Sequence, residues 1–216
     1  MKTKLLSVLS AFVLVMAACQ KEHSDDTTNN GSTTDYQPTT AGSTWQYSST
    51  SQGNYTETAT GTDTTISGQQ FSAIDNSVSG RRYVNKNNST YTSYGRFPQL
   101  DTTLQLTYLK DAAAGTSWED DKIYTINSFP VPIKVTYTIA SRDNDKTVNN
   151  ITYKNVIAVN TTISANIPLT GEVNVAQAQQ FYAKGVGLIL QTFSAQVPGS
   201  QTTVSDSTYL LSSTIK

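Results

Sequence analysis

The chain predicts an all-β protein: antiparallel curved sheets forming a sandwich or half-barrel, with at most one short helix. Three observations carry that expectation. Charged residues are only 14% of the chain while Tyr reaches 12 and Thr, Ser and Asn abound, a composition that suits pleated strands better than helices. Apolar residues recur at every second position in several stretches, Ile133, Val135, Tyr137 and Ile139 being the clearest, and period two is the strand period. Those stretches are separated by short clusters of Gly, Asn, Asp and Ser such as Ser67-Gly68, which are hairpin signals.

Taken in order, the folded part opens on Ala41-Gly42-Ser43-Thr44-Trp45-Gln46-Tyr47, a turn followed by a strand with Trp45 and Tyr47 on one face. A second strand runs near Tyr55 to Thr60, and Thr64 to Ile74 reads as a hairpin closing on Ser67-Gly68. Arg81 to Val84 and Ser89 to Tyr94 flank the turn signal Asn85-Lys86-Asn87-Asn88, and Leu104, Leu106 and Tyr108 mark an alternating strand. Ser141 to Thr147 reads as turn material, after which Ile151, Tyr153, Ile157, Val159 and Ile163 share an inward face. Pro130, Pro132 and Pro168 belong at strand edges, where a missing donor does little harm. Glu172 to Gln180, with Ala176 and Ala178, is the one candidate helix. Ser207 to Ile215, with Tyr209, Leu211 and Ile215 aligned, closes the chain.

The pattern restarts halfway. Ala114-Gly115-Thr116-Ser117-Trp118 repeats Ala41-Gly42-Ser43-Thr44-Trp45, and Lys146 to Val159 matches the hairpin of Thr64 to Ile74. Two landmarks in the same order indicate a single β domain, 37–216, built of two repeats at about 38–109 and 110–216.

Ahead of this domain lies a different kind of sequence. Lys2 and Lys4 precede an apolar run, Leu5 to Met16, that ends in Ala17-Ala18-Cys19. A basic start, a short apolar core and a small-residue exit describe a secretory signal. The run falls short of the roughly 20 apolar residues that span a bilayer. Residues 1–18 are therefore expected to be removed, and 19–36 to form a disordered acidic tether, since Gln20 to Tyr36 has almost no apolar side chain to bury. Cys19 is the only cysteine, so no disulfide within the chain can form, and a leftover thiol in a secreted chain is commonly free, intermolecular or modified.

The Met16-Ala17-Ala18-Cys19 exit resembles the lipobox of bacterial lipoproteins, and the resemblance implies cleavage before Cys19, diacylation on its sulfur and acylation of its new amine, palmitate being among the chains expected. At about 0.8 kcal/mol per buried CH₂, several acyl chains hold a protein to a membrane that it does not span. Glu22, Asp25 and Asp26 resemble the surface-export signal of Bacteroidetes lipoproteins. The ordered set Gly42-Ser43-Thr44-Trp45-Gln46-Tyr47, Ile151 to Val159, Phe181-Tyr182-Ala183-Lys184-Gly185-Val186-Gly187-Leu188-Ile189 and Ser207 to Ile215 resembles a family of lipoproteins from the same phylum with GSTWxY and YAKGVGLI elements. That resemblance implies a β-rich fold and an outer-membrane address, on the periplasmic face or the cell surface. It implies no reaction.

Chemistry is sparse. Without Lys2 and Lys4 the 15 basic residues become 13 against 16 acidic, and with no basic patch nucleic acid is excluded as a partner. The sole histidine, His23, lies in the tether, so a Ser-His-Asp arrangement and a histidine metal site are not expected. No cofactor is called for. Asp143-Asn144-Asp145 resembles the start of a calcium loop but lacks the glycine and glutamate that complete it. Lys184 to Gly187 lacks the spacing of a phosphate loop and reads as a bulge or close backbone approach. Asp63-Thr64-Thr65, Asp101-Thr102-Thr103 and Asp206-Ser207-Thr208 resemble the O-glycosylation acceptors of the same phylum.

Two functional expectations remain. The first is a non-enzymatic, lipid-anchored envelope protein that binds or scaffolds an apolar or glycan ligand, or an envelope protein partner, with Trp45, Trp118, Tyr182 and Lys184 as candidate ligand-facing residues. The alternative is an envelope hydrolase using paired carboxylates among Asp111, Glu119, Asp120 and Asp121, because two acids suffice for glycoside hydrolysis.

Overall fold

The computed structural model describes residues 34–97, 102–126, 129–167, 171–196 and 203–216. The Cys19 anchor, the acidic cluster, His23, Pro168 and Asp101 lie outside the described residues. Twelve strands are present: β1 Thr44–Ser49, β2 Gly53–Ile66, β3 Gln69–Asn76, β4 Gly80–Asn87, β5 Thr90–Phe97, β6 Thr102–Lys110, β7 Ser117–Ile126, β8 Phe129–Val148, β9 Ile151–Ile167, β10 Gly171–Ala183, β11 Gly187–Gln196 and β12 Thr203–Thr214. All are antiparallel neighbours in one sheet of order β6-β5-β4-β3-β2-β1-β12-β11-β10-β9-β8-β7. The sheet curls until its two ends approach, giving a nearly closed barrel, in broad agreement with the expected curved all-β sandwich or half-barrel.

No ladder joins β6 to β7 among the described residues. Side chains bridge the seam instead. Trp118 Nε1 donates to the Thr107 carbonyl at 2.6 Å, and Thr107 N donates to Asp120 Oδ2 at 2.7 Å. One peptide unit of β6 thus finds in two side chains of β7 the donor and acceptor that a neighbouring strand would supply. Such a seam covers an edge that would otherwise template association.

Alternate connections of an antiparallel meander share an end. The β1–β2 and β3–β4 turns therefore lie at one end, here called the mouth. The β2–β3, β4–β5, β6–β7, β8–β9 and β10–β11 turns lie at the other. That second end is sealed. Asp35 and Tyr36 cross it: Tyr36 is fully buried, its amide donates to the Tyr91 hydroxyl oxygen at 3.3 Å, and Gly185 N donates to the Asp35 carbonyl at 2.7 Å. The ordered body consequently begins before residue 37, and Tyr36 belongs to it, not to the tether. A second apolar cluster, with Trp45, Tyr47, Tyr153, Val186, Ile189 and Leu210, completes the seal.

Several expectations are met locally. Ser67-Gly68 closes β2–β3 with φ of 51° and 79°, and Asn149-Asn150 closes β8–β9 with 51° and 63°, the two positive values that a type I′ hairpin needs. Gly42 and Gly115 precede the two tryptophan strands with φ of 81° and 86°.

Three readings are corrected. Glu172 to Gln180 is strand, within β10; Ala176 and Ala178 face the interior opposite Ile163 and Thr161, so the alanines serve as small wall residues and not as helix formers. Ser141 to Thr147 lies inside the 20-residue β8, where its turn-like residues are absorbed by three register shifts between Ile139 and Lys146; such bulges bend a strand without ending it. On β12 the buried positions are Thr208 and Leu210, while Leu211 is exposed. The register shift between Gln46 and Tyr47 places Leu210 opposite Tyr47.

Candidate functional site in the barrel interior

The ladder registers define which side chains share the inner face, because paired residues of neighbouring strands point the same way. One cross-strand row runs Val135, Ile163, Ala176, Ala195, Val204 over five strands. It is apolar over these strands and ends at the mouth on Val204, which is 51% exposed; on β7 the residue paired with Val135 is Asp120. The next row reads Tyr137, Thr161, Ala178, Phe193, Asp206. The row after that reads Ile139, Val159, Gln180, Gln191, Thr208. Over β10 to β12 the second and third rows are more polar than the first, while on β7 Lys122 pairs with Ile133 nearer the mouth. Ile163, Ala176, Phe193, Gln180 and Gln191 all remain partly exposed although they face inward, so the barrel interior admits solvent.

Just inside the β3–β4 turn, within reach of Gln37, lies a pair that sequence reasoning missed. Glu57, on the inner face of β2 opposite Trp45 and Asn76, meets Arg82 of β4 in a two-pronged ion pair. Arg82 Nε donates to Glu57 Oε1 at 3.1 Å and Nη2 to Oε2 at 2.8 Å. Asn76 Nδ2 adds a third bond to Glu57 Oε1 at 3.2 Å, and Arg82 Nη2 lies 3.5 Å from the Gln37 amide oxygen. Side-chain exposure is 9% for Glu57 and 26% for Arg82, so the acid is enclosed while the arginine side chain stays partly open. Among the described residues Arg82 Nη1 has no hydrogen-bond partner.

Burial pushes the Glu57 carboxyl up, but the Arg82 charge and the bonds from Arg82 and Asn76 outweigh it and hold the carboxyl below its ordinary value of 4.5. Burial works against the Arg82 charge as well, and Glu57 more than restores it. Both groups are therefore ionised and cancel.

Tyrosines surround the pair. Tyr47 stacks on Tyr55 with centroids 5.2 Å apart, and Tyr108 packs on Tyr182 at 5.8 Å. Burial lifts the hydroxyls of Tyr47, Tyr108 and Tyr182 well above the ordinary tyrosine value, with Glu57 adding to the rise in each and Arg82 opposing it. They stay neutral at any physiological pH. The Tyr108 hydroxyl is buried without a hydrogen-bond partner among the described residues. At the mouth, Asp206 binds the β1–β2 turn, accepting from Ser49 Oγ, Thr50 Oγ1 and Ser51 N at 2.9 Å each.

Of the candidate ligand-facing residues, Tyr182 alone joins this cluster. Trp45 is 1% exposed and donates Nε1 to the Val186 carbonyl at 2.6 Å. Gly187 packs against it: its φ of +107° favours glycine, and a Cβ there would stand in ordinary contact, 3.5 Å from Trp45 Nε1. The Lys184 to Gly187 segment is thus the β10–β11 turn and a close backbone approach. Lys184 sits half-buried in that turn. Trp118 is 8% exposed, stacked on Tyr137 at 5.2 Å and committed to the seam. Both tryptophans pin strands together. Their indole N–H groups are taken.

The carboxylates scatter. Asp111 pairs with Arg142 at 2.5 Å near the sealed end, whereas Asp120 is held by Thr107 N on the seam. Glu119 and Asp121 face outward on β7, and Glu119 bonds Thr136. Asp143 and Asp145 pair with Arg142 and Lys154, and no group of three metal-binding side chains occurs among the described residues. Asp63 accepts from Gln70 and Ser72. On the sheet's other face, Asn160, Thr162, Gln177, Gln179, Thr192 and Ser194 border a shallow polar hollow of about 400 Å³.

Period-two reading could have found the acid of the central pair. Tyr55, Glu57 and Ala59 alternate with threonines, which places a carboxylate at an inward position. Arg82 offered no such signal, since its partner lies 25 residues away.

No family model and no curated protein matches the chain. Among solved structures it is similar to a candidate lipoprotein from Parabacteroides distasonis, at 12% identity over 84% of this chain and 99% of that one, with a TM-score of 0.55. At that identity the likeness is one of fold.

Proposed function

We propose that this is a lipid-anchored, non-enzymatic envelope lipoprotein whose barrel holds an apolar ligand. The observation that carries the reading is the apolar row from Val204 to Val135, which leads from the mouth into an interior whose walls still meet solvent. Ligand sites are commonly concave and mostly apolar, with a few placed polar groups, and the Glu57–Arg82 pair with its tyrosines supplies those. The neighbour from Parabacteroides, described as a candidate lipoprotein, agrees with the anchor read from Cys19. Outer-membrane residence and palmitate on Cys19 belong to the same proposal, as does duplication, for which the matching Gly42 and Gly115 turns and the two I′ hairpins speak.

Detergent-free protein, washed and analysed by native mass spectrometry, should carry or take up one amphiphile per chain. Replacement of Phe193 and Ala178 by bulkier or charged residues (Ala178→Phe, Phe193→Asp) should abolish uptake. Uptake unchanged in both variants would sink the reading. For the anchor, a radioactive fatty acid should label the parent and leave Cys19→Ser unlabelled.

A further inference from the structure

Resting on that reading, we infer that the interior selects an amphiphile with an uncharged, hydrogen-bond-accepting head, such as an ester, amide or glycerol group. The Val135-to-Val204 row suits an acyl chain over its five strands, and the Glu57–Arg82 pair with its tyrosines faces the same interior.

The charge state follows from the pair itself. An arginine alone at the end of an apolar cavity would invite a carboxylate, because a guanidinium binds such heads through two parallel bonds. Here Glu57 already occupies that edge with bonds of 2.8 and 3.1 Å. A second carboxylate brought to Arg82 Nη1 would meet one positive and one negative charge, and it would surrender its own hydration for no net attraction. Burying a charge without a free partner is costly, whereas a neutral head needs only hydrogen bonds. Cationic heads fail for the same reason. Asp206, whose carboxyl is held below its ordinary value because its bonds from Thr50, Ser49 and Ser51 outweigh its burial, adds negative charge at the mouth and opposes anions further. What the cluster offers is donors: Nη1 of Arg82, which Glu57 does not engage, beside neutral tyrosines.

The test compares 1-lauroyl glycerol, laurate and dodecylammonium at pH 8, each displacing a fluorescent fatty probe from the full mature chain. The parent should bind the glyceride at least tenfold more tightly than either ion. Glu57→Gln leaves Arg82 uncompensated, and the glyceride-to-laurate ratio should then fall at least tenfold. The paired variant Glu57→Gln with Arg82→Gln removes both charges and should restore the preference for the glyceride. Equal or tighter binding of laurate by the parent overturns the inference while leaving the barrel a ligand carrier. An unchanged ratio in Glu57→Gln, shown folded by its circular dichroism, also overturns it. If none of the three binds the parent, the ligand-carrier reading itself falls, and this inference with it.

Discussion

Glu57→Gln tests the central pair in depth. The side chain keeps its size and loses its charge, so Arg82 retains a buried guanidinium facing an amide in place of a carboxylate. Removing one member of a fully buried pair costs about 3–5 kcal/mol. Arg82 keeps 26% of its side chain accessible, and solvent recovers part of that loss, which brings the expected cost to about 2–3 kcal/mol. For a chain of this size that corresponds to a melting point lower by about 5–10 °C. Urea titration followed by tryptophan fluorescence reads it directly, and the paired Gln variant closes a double-mutant cycle. The pH dependence has a definite sign. The Glu57 carboxyl is held below 4.5 in the folded chain, so its contribution is complete above that value and disappears as pH falls through the lower, folded one. Parent and Glu57→Gln should therefore differ most near neutrality and converge in acid. A difference below about 0.5 kcal/mol at pH 7, the range of ordinary surface substitutions, or a gap that widens in acid, would refute the account of this pair.

Tyr36→Ala should lower stability by about 3–5 kcal/mol, the range for a large aromatic removed from a core, as read by denaturant midpoint. In the parent, burial with Asp111 behind it pushes the Tyr36 hydroxyl up to about 12, so ultraviolet titration should show no ionisation of that residue below pH 11. Trp118→Phe strands the Thr107 carbonyl and Asp120→Ala its amide; each should cost about 1–3 kcal/mol, and hydrogen exchange at the Thr107 amide should accelerate in Asp120→Ala. Gly187→Ala, at φ +107° and against Trp45, should destabilise by about 1–3 kcal/mol, with a change in Trp45 fluorescence as the accompanying sign.

Much of the fold follows from local rules, and that part was legible. Period two fixed the strands around Trp45, Tyr55, Leu104 and Ile133, and paired small polar residues fixed the hairpins at Ser67-Gly68 and Asn149-Asn150, because backbone φ is a property of the residue itself. Local rules failed where neighbours decide. Ala176 and Ala178 carry helix propensity, yet their place between Ile163 and Ala195 asks for small wall residues and overrides it. Asp143 and its neighbours have turn chemistry, yet a long hairpin absorbs them as bulges. The candidate site divides along the same line. Sequence by itself supplied a lipobox-like cysteine motif and the expectation of a strand-built body. Tertiary structure alone decided that the tryptophans serve as pins, that one sheet curls nearly shut with side chains clasping its seam, and that Glu57 and Arg82 meet inside it. A carboxylate and a guanidinium distant in sequence carry no local mark of each other; only the closing of the barrel withdraws both from water and makes their attraction matter.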